Sequence, residues 1–279
     1  GDGRLSLVDA RGGGRIDVTR ISAVGSAQSL AGPWKLDGGG QRGARQIGFH
    51  LAGGRTADGA TAVKLQLQPA DDPAMVIADL ALRDGGALTG RVVAERRGEA
   101  SGGLSASLAS WRAEAQIAGD ARAIEATGLT LALGPEDRAA QLTGTARLVL
   151  GAEPGLEATL TARQVEIDRL ASAEAGRPAV PAQVARDLVD LLAGVGEAPL
   201  PGRLRLEVQG LVVGGGAVQE VTVEAHTRAG GLALDRFEAR LPGRSRLEAS
   251  GRFAFDGGPR FDGRVEVASE QPASLAGWW

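Results

Sequence analysis

The chain contains no cysteine and no tyrosine. Disulfides, thiolate catalysis and Cys-ligated zinc are therefore excluded; a cysteine-free chain suits the periplasm, where a stray thiol risks mispairing, but is also common in the cytosol. Aromatic residues make up only 3% of the 279 residues, too few for platforms that stack bases or sugars. A formal net charge of -3 lacks the basic stripe of a nucleic-acid binder, so no nucleic-acid partner is expected. No apolar run approaches the roughly 18–20 residues of a membrane-spanning helix. The chain opens at Gly1 and has one methionine, Met75, which reads as a processed piece; the lack of a spanning run applies to this piece alone and leaves room for an anchor or export signal in a longer parent.

Catalytic constellations are equally scarce. The two histidines, His50 and His226, lie in separate segments, and a solvated or capped role is expected for each rather than metal ligation. The glycine runs Gly12–Gly14, Gly38–Gly40 and Gly214–Gly216 lack the Gly-Lys-Ser/Thr that makes a phosphate cradle, and they read as loops. No Gly-x-Ser-x-Gly elbow is present. Carboxylates are plentiful, but they fall at alternating polar positions or in Asp-Gly pairs. That is the pattern of a wet sheet face, not of two glycosidase acids. No enzyme, cofactor or metal site is expected.

Period-two alternation dominates what remains. Val63, Leu65 and Leu67 alternate with Lys64, Gln66 and Gln68; Leu204, Leu206 and Val208 with Arg205, Glu207 and Gln209; Val221, Val223 and Ala225 with Thr222, Glu224 and His226; Val265 and Val267 with Arg264 and Glu266. Successive strand side chains point to opposite faces, so each segment has one apolar and one wet face. Asp37-Gly38, Asp58-Gly59, Asp84-Gly85, Asp256-Gly257 and Asp262-Gly263 are candidate tight turns, because Asp-Gly supplies positive φ angles. Alternation predicts roughly 18 strands.

One stretch departs from this pattern. Pro181 is suited to open a helix, Val184, Leu188, Leu191 and Leu192 share a face with Asp187 and Asp190 outside, and Gly194 and Gly196 stop it. The fold class expected is mainly β: a long curled antiparallel sheet, groove-like, an open barrel or taco-like, with one short helix near 182–193. Residues 1–170 form a β-rich groove segment, 171–196 a linker and helix, and 197–279 the continuation of the groove.

The apolar faces are rich in small residues: Ala146 stands beside Leu148 and Leu150, and Ala158 beside Leu160 and Ala162. With few large rings to fill a thick core, such a face leaves a greasy furrow. Acyl chains could lie in it, each buried CH₂ worth about 0.8 kcal/mol. Candidate lining residues are Val63, Leu65, Leu67, Leu148, Leu150, Leu204, Leu206, Val208, Val265 and Val267.

Four stretches resemble the AsmA-like family of Gram-negative bacteria: SLAGPWKLDGGG (29–40), the Trp111-containing 108–134, 143–170, and the closing 251–279 with its Ser-x-x-Pro-x-x-Leu helix start after a hairpin. The resemblance implies a bacterial relative of bridge-like lipid transfer proteins. Such a protein is anchored in the inner membrane by parts outside this segment, projects into the periplasm, and is linked to phospholipid transport and outer-membrane biogenesis. Phospholipid or another acyl lipid is the implied partner; no catalytic residue is carried over. Two alternatives are a non-catalytic periplasmic scaffold that assists outer-membrane protein assembly and an outer-membrane barrel. The barrel is disfavoured because aromatic girdles need tyrosine.

Overall fold

The computed structural model describes residues 3–8, 15–29, 32–42, 45–98, 103–150, 153–171, 177–196, 201–228, 231–255 and 258–279. In chain order the elements are β1 (Gly3–Val8), β2 (Arg15–Ala27), β3 (Trp34–Arg42), β4 (Arg45–Arg55), β5 (Thr61–Pro69), β6 (Ala74–Leu82), β7 (Leu88–Arg96), α1 (Gly103–Leu108), β8 (Trp111–Gly119), β9 (Ala123–Leu133), β10 (Ala140–Val149) and β11 (Gly155–Glu166). Then come α2 (Ile167–Ala171), α3 (Pro181–Gly196), β12 (Gly202–Val213), β13 (Gly216–Arg228), β14 (Gly231–Leu241), β15 (Ser245–Ala254), β16 (Arg260–Ser269) and α4 (Pro272–Trp278). The fold is mainly β, with 16 strands hydrogen-bonded in chain order. Among the described residues no pairing joins β1 to β16, so the sheet is not closed into a barrel.

One pairing departs from the antiparallel expectation. β11 and β12 run parallel, with Leu160 opposite Leu206 and Ala162 opposite Val208. Parallel neighbours need a long crossover, and α2 and α3 lie in it. The described residues contain four helices rather than one. α1 and α2 are too short to display an apolar period, which is why alternation missed them.

Two of the five Asp-Gly pairs make turns, Asp58-Gly59 between β4 and β5 and Asp84-Gly85 between β6 and β7. Asp37-Gly38 and Asp262-Gly263 lie inside β3 and β16 instead, and so does the run Gly38–Gly40. Asp256-Gly257 and Gly12–Gly14 lie outside the described residues. The glycines within strands make room for neighbouring rings: a Cβ on Gly38 would sit 2.8 Å from the Phe49 ring, and one on Gly263 would sit 2.6 Å from the Phe261 ring. A large side chain leaning over a strand glycine fills the gap that the glycine leaves. Gly214 and Gly215 do form the β12–β13 turn, both with positive φ.

Chain contacts gather into two compact units. The first comprises Gly1–Arg97, Arg112–Leu129 and Arg147–Pro154; the second comprises Gly98–Trp111, Thr130–Ala146 and Gly155–Trp279.

In the first unit, aspartates pin the hairpins. Asp72, between β5 and β6, accepts the Ala74 N–H at 2.9 Å and the Arg96 Nε at 3.0 Å. Burial works against its charge, but the Arg96 and Ala74 hydrogen bonds outweigh it and hold the carboxyl below the usual carboxylate range. Asp120 accepts the N–H groups of Arg122 and Ala123, which likewise lower its pKa. A folded-state pKa below the unfolded one gives stability that is present above the unfolded value, about 3.9, and lost as pH falls through the folded value. Stability should therefore drop below about pH 4, and Asp72→Asn should flatten that acid limb. Urea titrations across the acid range check this; an unchanged acid slope in the variant would remove Asp72 from the account.

The helices carry the best-buried part of the second unit. Its most buried side chains are Leu104 and Ser107 of α1 and Leu170 of α2. α1 touches α2 and α3, α2 touches β12, and α3 touches β13 and β14. Gly134 ends β9 with a φ of +107°, and a Cβ there would collide with the Leu170 side chain. Pro181 and Val184 of α3 are buried. Leu188, expected on the same inner face, is 42% exposed, whereas Val184 one turn earlier is buried. Asp187 is half-buried and accepts the Gln183 amide at 2.7 Å, while Asp190 is exposed.

Asp168 ties this layer together. One carboxylate oxygen accepts the N–H groups of Ala179 at 2.9 Å and Gly214 at 2.8 Å, and the other accepts Gly215 N–H at 2.9 Å. The start of α3 and the β12–β13 turn are thus fastened to α2 by charge-assisted hydrogen bonds. Asp168→Ala should cost about 2 kcal/mol in urea unfolding. Asp168→Asn, which keeps one acceptor, should cost less, and equal losses for the two would contradict the charge assistance.

Candidate functional site

Alternation sorts the strand side chains onto two faces, and register lines up the apolar ones across strands. In the first unit three rows run from β3 to β7: Trp34–Gly53–Val63–Leu80–Gly90, Leu36–Leu51–Leu65–Ala78–Val92, and Gly38–Phe49–Leu67–Val76–Ala94. Large side chains flank the glycines. Cβ atoms on Gly53 and Gly90 would meet the Trp34 ring at 2.6 Å and Leu80 at 3.0 Å. Val63, Leu65 and Leu67 therefore share one face, and all three are half-buried. The other face carries charged pairs, with Lys64 3.4 Å from Asp79 and Asp37 2.6 Å from His50, beside the apolar pair Ile77–Val93.

In the second unit one row crosses six strands, Leu160–Leu206–Val223–Phe237–Ala249–Val265. Beside it runs Ala158–Leu204–Ala225–Leu234–Gly251–Gly263. On the other side, Ala162, Val208 and Val221 align, as do Ala239, Leu247 and Val267. The structure thus brings Leu204, Leu206, Val208, Val265 and Val267 to one face. Leu160, Ala162, Val208 and Val221 are buried, whereas Leu204 is 36%, Val267 53% and Val265 56% exposed. At the β16 end more than half of the surface of Val265 and of Val267 is exposed.

Leu148 and Leu150 belong to the first unit; Leu148 is half-buried, and Leu150 is exposed just beyond β10. Phe237 and Leu234 belong to the face but escape the alternation pattern. In the β14 stretch Leu232-Ala-Leu234-Asp-Arg-Phe237-Glu-Ala239 the apolar phase slips by one residue. The slip coincides with the β14–β15 register shift between Leu234 and Phe237. A phase slip of this kind is the sequence signature of a β-bulge. A second slip, from Val218 to Val221, spans Glu220, whose φ is +51°.

The opposite face of the second unit is a ladder of ion pairs. Arg205 contacts Glu207 at 2.9 Å and Glu224 at 3.5 Å, Arg236 contacts Glu238 at 2.9 Å, and Arg246 contacts Glu248 at 2.7 Å. The Arg236 hydrogen bond lowers the pKa of Glu238. His226 faces Asp235 at 2.8 Å. Among the described residues no group of three His, Cys, Asp or Glu is placed to hold a metal, and no helix is long and apolar enough to cross a membrane.

Chemically, these surfaces offer apolar contact on one side and charge on the other, with little that is directional on the apolar side. The site belongs to a mainly-β meander whose distinctive feature is a broad, partly open apolar sheet face. Comparison with protein-family profiles, with curated proteins and with solved structures finds no match to the chain.

Proposed function

We propose that this chain binds acyl lipid on its apolar sheet faces and serves as a periplasmic segment for lipid transfer. In that role it contributes to phospholipid transport and outer-membrane biogenesis. The observation that carries this reading is the second unit's six-strand row, which ends at Val265 with more than half its surface exposed. Exposed contiguous apolar surface on a sheet otherwise laced with ion pairs marks an interaction site. Aliphatic and small side chains without polar partners favour a ligand with no hydrogen-bonding demand, which describes an acyl chain. The resemblance to AsmA-like proteins supplies the setting, with attachment to the inner membrane through parts outside this segment.

Native mass spectrometry of gently purified protein tests the reading. Phospholipid masses should accompany the folded chain and leave on detergent washing. A chain that emerges free of lipid, and does not take up phospholipid from added vesicles, would leave the scaffold reading in its place.

A further inference from the structure

Where β11 and β12 run parallel, the polar side of the second unit is hollow. Alternation sends Gln141 and Thr143 of β10, Thr161 and Arg163 of β11, and Glu207 and Gln209 of β12 to one side of the sheet, where they enclose a cavity of about 420 Å³. All six are exposed, while the alternate residues Leu142, Ala162 and Val208 are buried. The two threonines make the floor. The Thr161 hydroxyl donates to the Thr143 carbonyl at 3.3 Å and lies 3.4 Å from the Thr143 hydroxyl. Across the parallel register Thr161 stands opposite Glu207. The short threonines thus leave a hollow between longer side chains. Its charge is uneven. Arg205 holds Glu207 at 2.9 Å, but the side chains of Arg163, Gln141 and Gln209 make no hydrogen bond or ion pair among the described residues.

We propose that this cavity binds a small open-chain polyhydroxy carboxylate, a sugar acid. One uncommitted guanidinium matches one negative charge, and its planar fork fits a carboxylate through two parallel N–H···O bonds. A doubly charged phosphate would meet only that one cation, with the Glu207 carboxylate in the same lining. Two amides and two hydroxyls make up most of the rest. Each of these groups both donates and accepts, which suits a row of hydroxyls on the ligand. Ala162 is the one apolar residue in the lining, so an acyl chain has little to bury against. No aromatic ring lines the cavity, which disfavours a nucleobase or a stacked sugar ring. The volume lies within the range of small-molecule sites. The inference goes beyond lipid binding and does not depend on it, because the cavity opens on the side of the sheet that carries the ion pairs.

Isothermal titration calorimetry with gluconate should give a Kd of about 0.1–1 mM, the strength expected of one charged contact and a few neutral ones in an open site. Sorbitol lacks the carboxylate and acetate lacks the hydroxyls, so each should bind at least about tenfold more weakly. Arg163→Gln should weaken gluconate about tenfold or more, with an unchanged circular dichroism spectrum because the side chain is exposed and unpaired. Arg163→Lys keeps the charge and loses the fork, and it should fall between the wild type and Arg163→Gln. Thr161→Val removes a floor hydroxyl at nearly constant shape and should weaken gluconate about threefold or more. A wild type that takes up no gluconate at about 10 mM, an Arg163→Gln protein that binds it unchanged, or sorbitol or acetate binding as tightly as gluconate would each overturn the proposal.

Discussion

Leu206→Asp should leave the protein folded and abolish the phospholipid binding proposed for its apolar face. Leu206 lies mid-strand in β12, half-buried, with Leu160 and Val223 on either side in the six-strand apolar row. Its chain neighbours Arg205 and Glu207 pair with each other at 2.9 Å on the other face, so the substitution alters one face only. The position is open enough for a carboxylate to stay hydrated, and the loss of apolar burial costs the fold about 1–2 kcal/mol. An acyl chain lying across that carboxylate would have to strip its water, at a cost of several kcal/mol. Retained phospholipid should fall at least about tenfold, with the sheet spectrum unchanged. Glu207→Ala, on the opposite face, should retain lipid as the wild type does. A folded Leu206→Asp protein carrying wild-type lipid would remove Leu206 from the path. A variant that unfolds would show instead that the face is a closed core.

Leu170→Ala should have the largest effect on stability, about 3–4 kcal/mol, because it empties a nearly closed site. Leu170 is only 1% exposed, belongs to the helix that packs on α1, and leans over Gly134, where any side chain would collide with it. Neighbours held by the sheet and by the Asp168 hydrogen bonds have little room to collapse into the cavity. Leu188→Ala, on the exposed side of α3, should cost less than about 1 kcal/mol. Urea unfolding of both variants measures the contrast. Similar losses at the two sites would mean that α3 is buried more deeply than its exposure indicates. The two substitutions also separate the two kinds of apolar residue in this unit: Leu170 serves the fold, whereas Leu206 is proposed to serve a ligand.

Much of the apolar face was legible in the sequence where alternation holds phase. Val63, Leu65 and Leu67, and Leu204, Leu206 and Val208, are assigned to a common side of their strands by period two alone, and cross-strand register then aligns them with their neighbours. Phe237 and Leu234 were not legible that way, because the β14 bulge shifts the phase between them. A phase slip can be recognised in the sequence, but only pairing with a neighbouring strand shows that both residues return to one face. Asp-Gly pairs misled for a related reason. Asp37-Gly38 and Asp262-Gly263 have turn chemistry, yet they sit inside continuous ladders, Gly38 opposite Phe49 and Gly263 opposite Gly251, and the chain runs straight through them.

By itself, then, the sequence determined the mainly-β class, the two-faced strands, the α3 segment near 182–193 and the lack of cysteine chemistry. These follow from composition and from the side-chain period of an extended backbone, which are local properties. Tertiary structure alone decided the parallel β11–β12 pairing, the burial of Leu104 and Leu170 by short helices with no readable period, and the clamp of Asp168 on Ala179, Gly214 and Gly215. It also decided which apolar residues are covered and which remain open, Val208 buried but Val265 and Val267 exposed on one face. The reason is physical. Alternation says which way a side chain points, but its burial depends on what comes to lie over it, and that comes from chain segments far away in sequence.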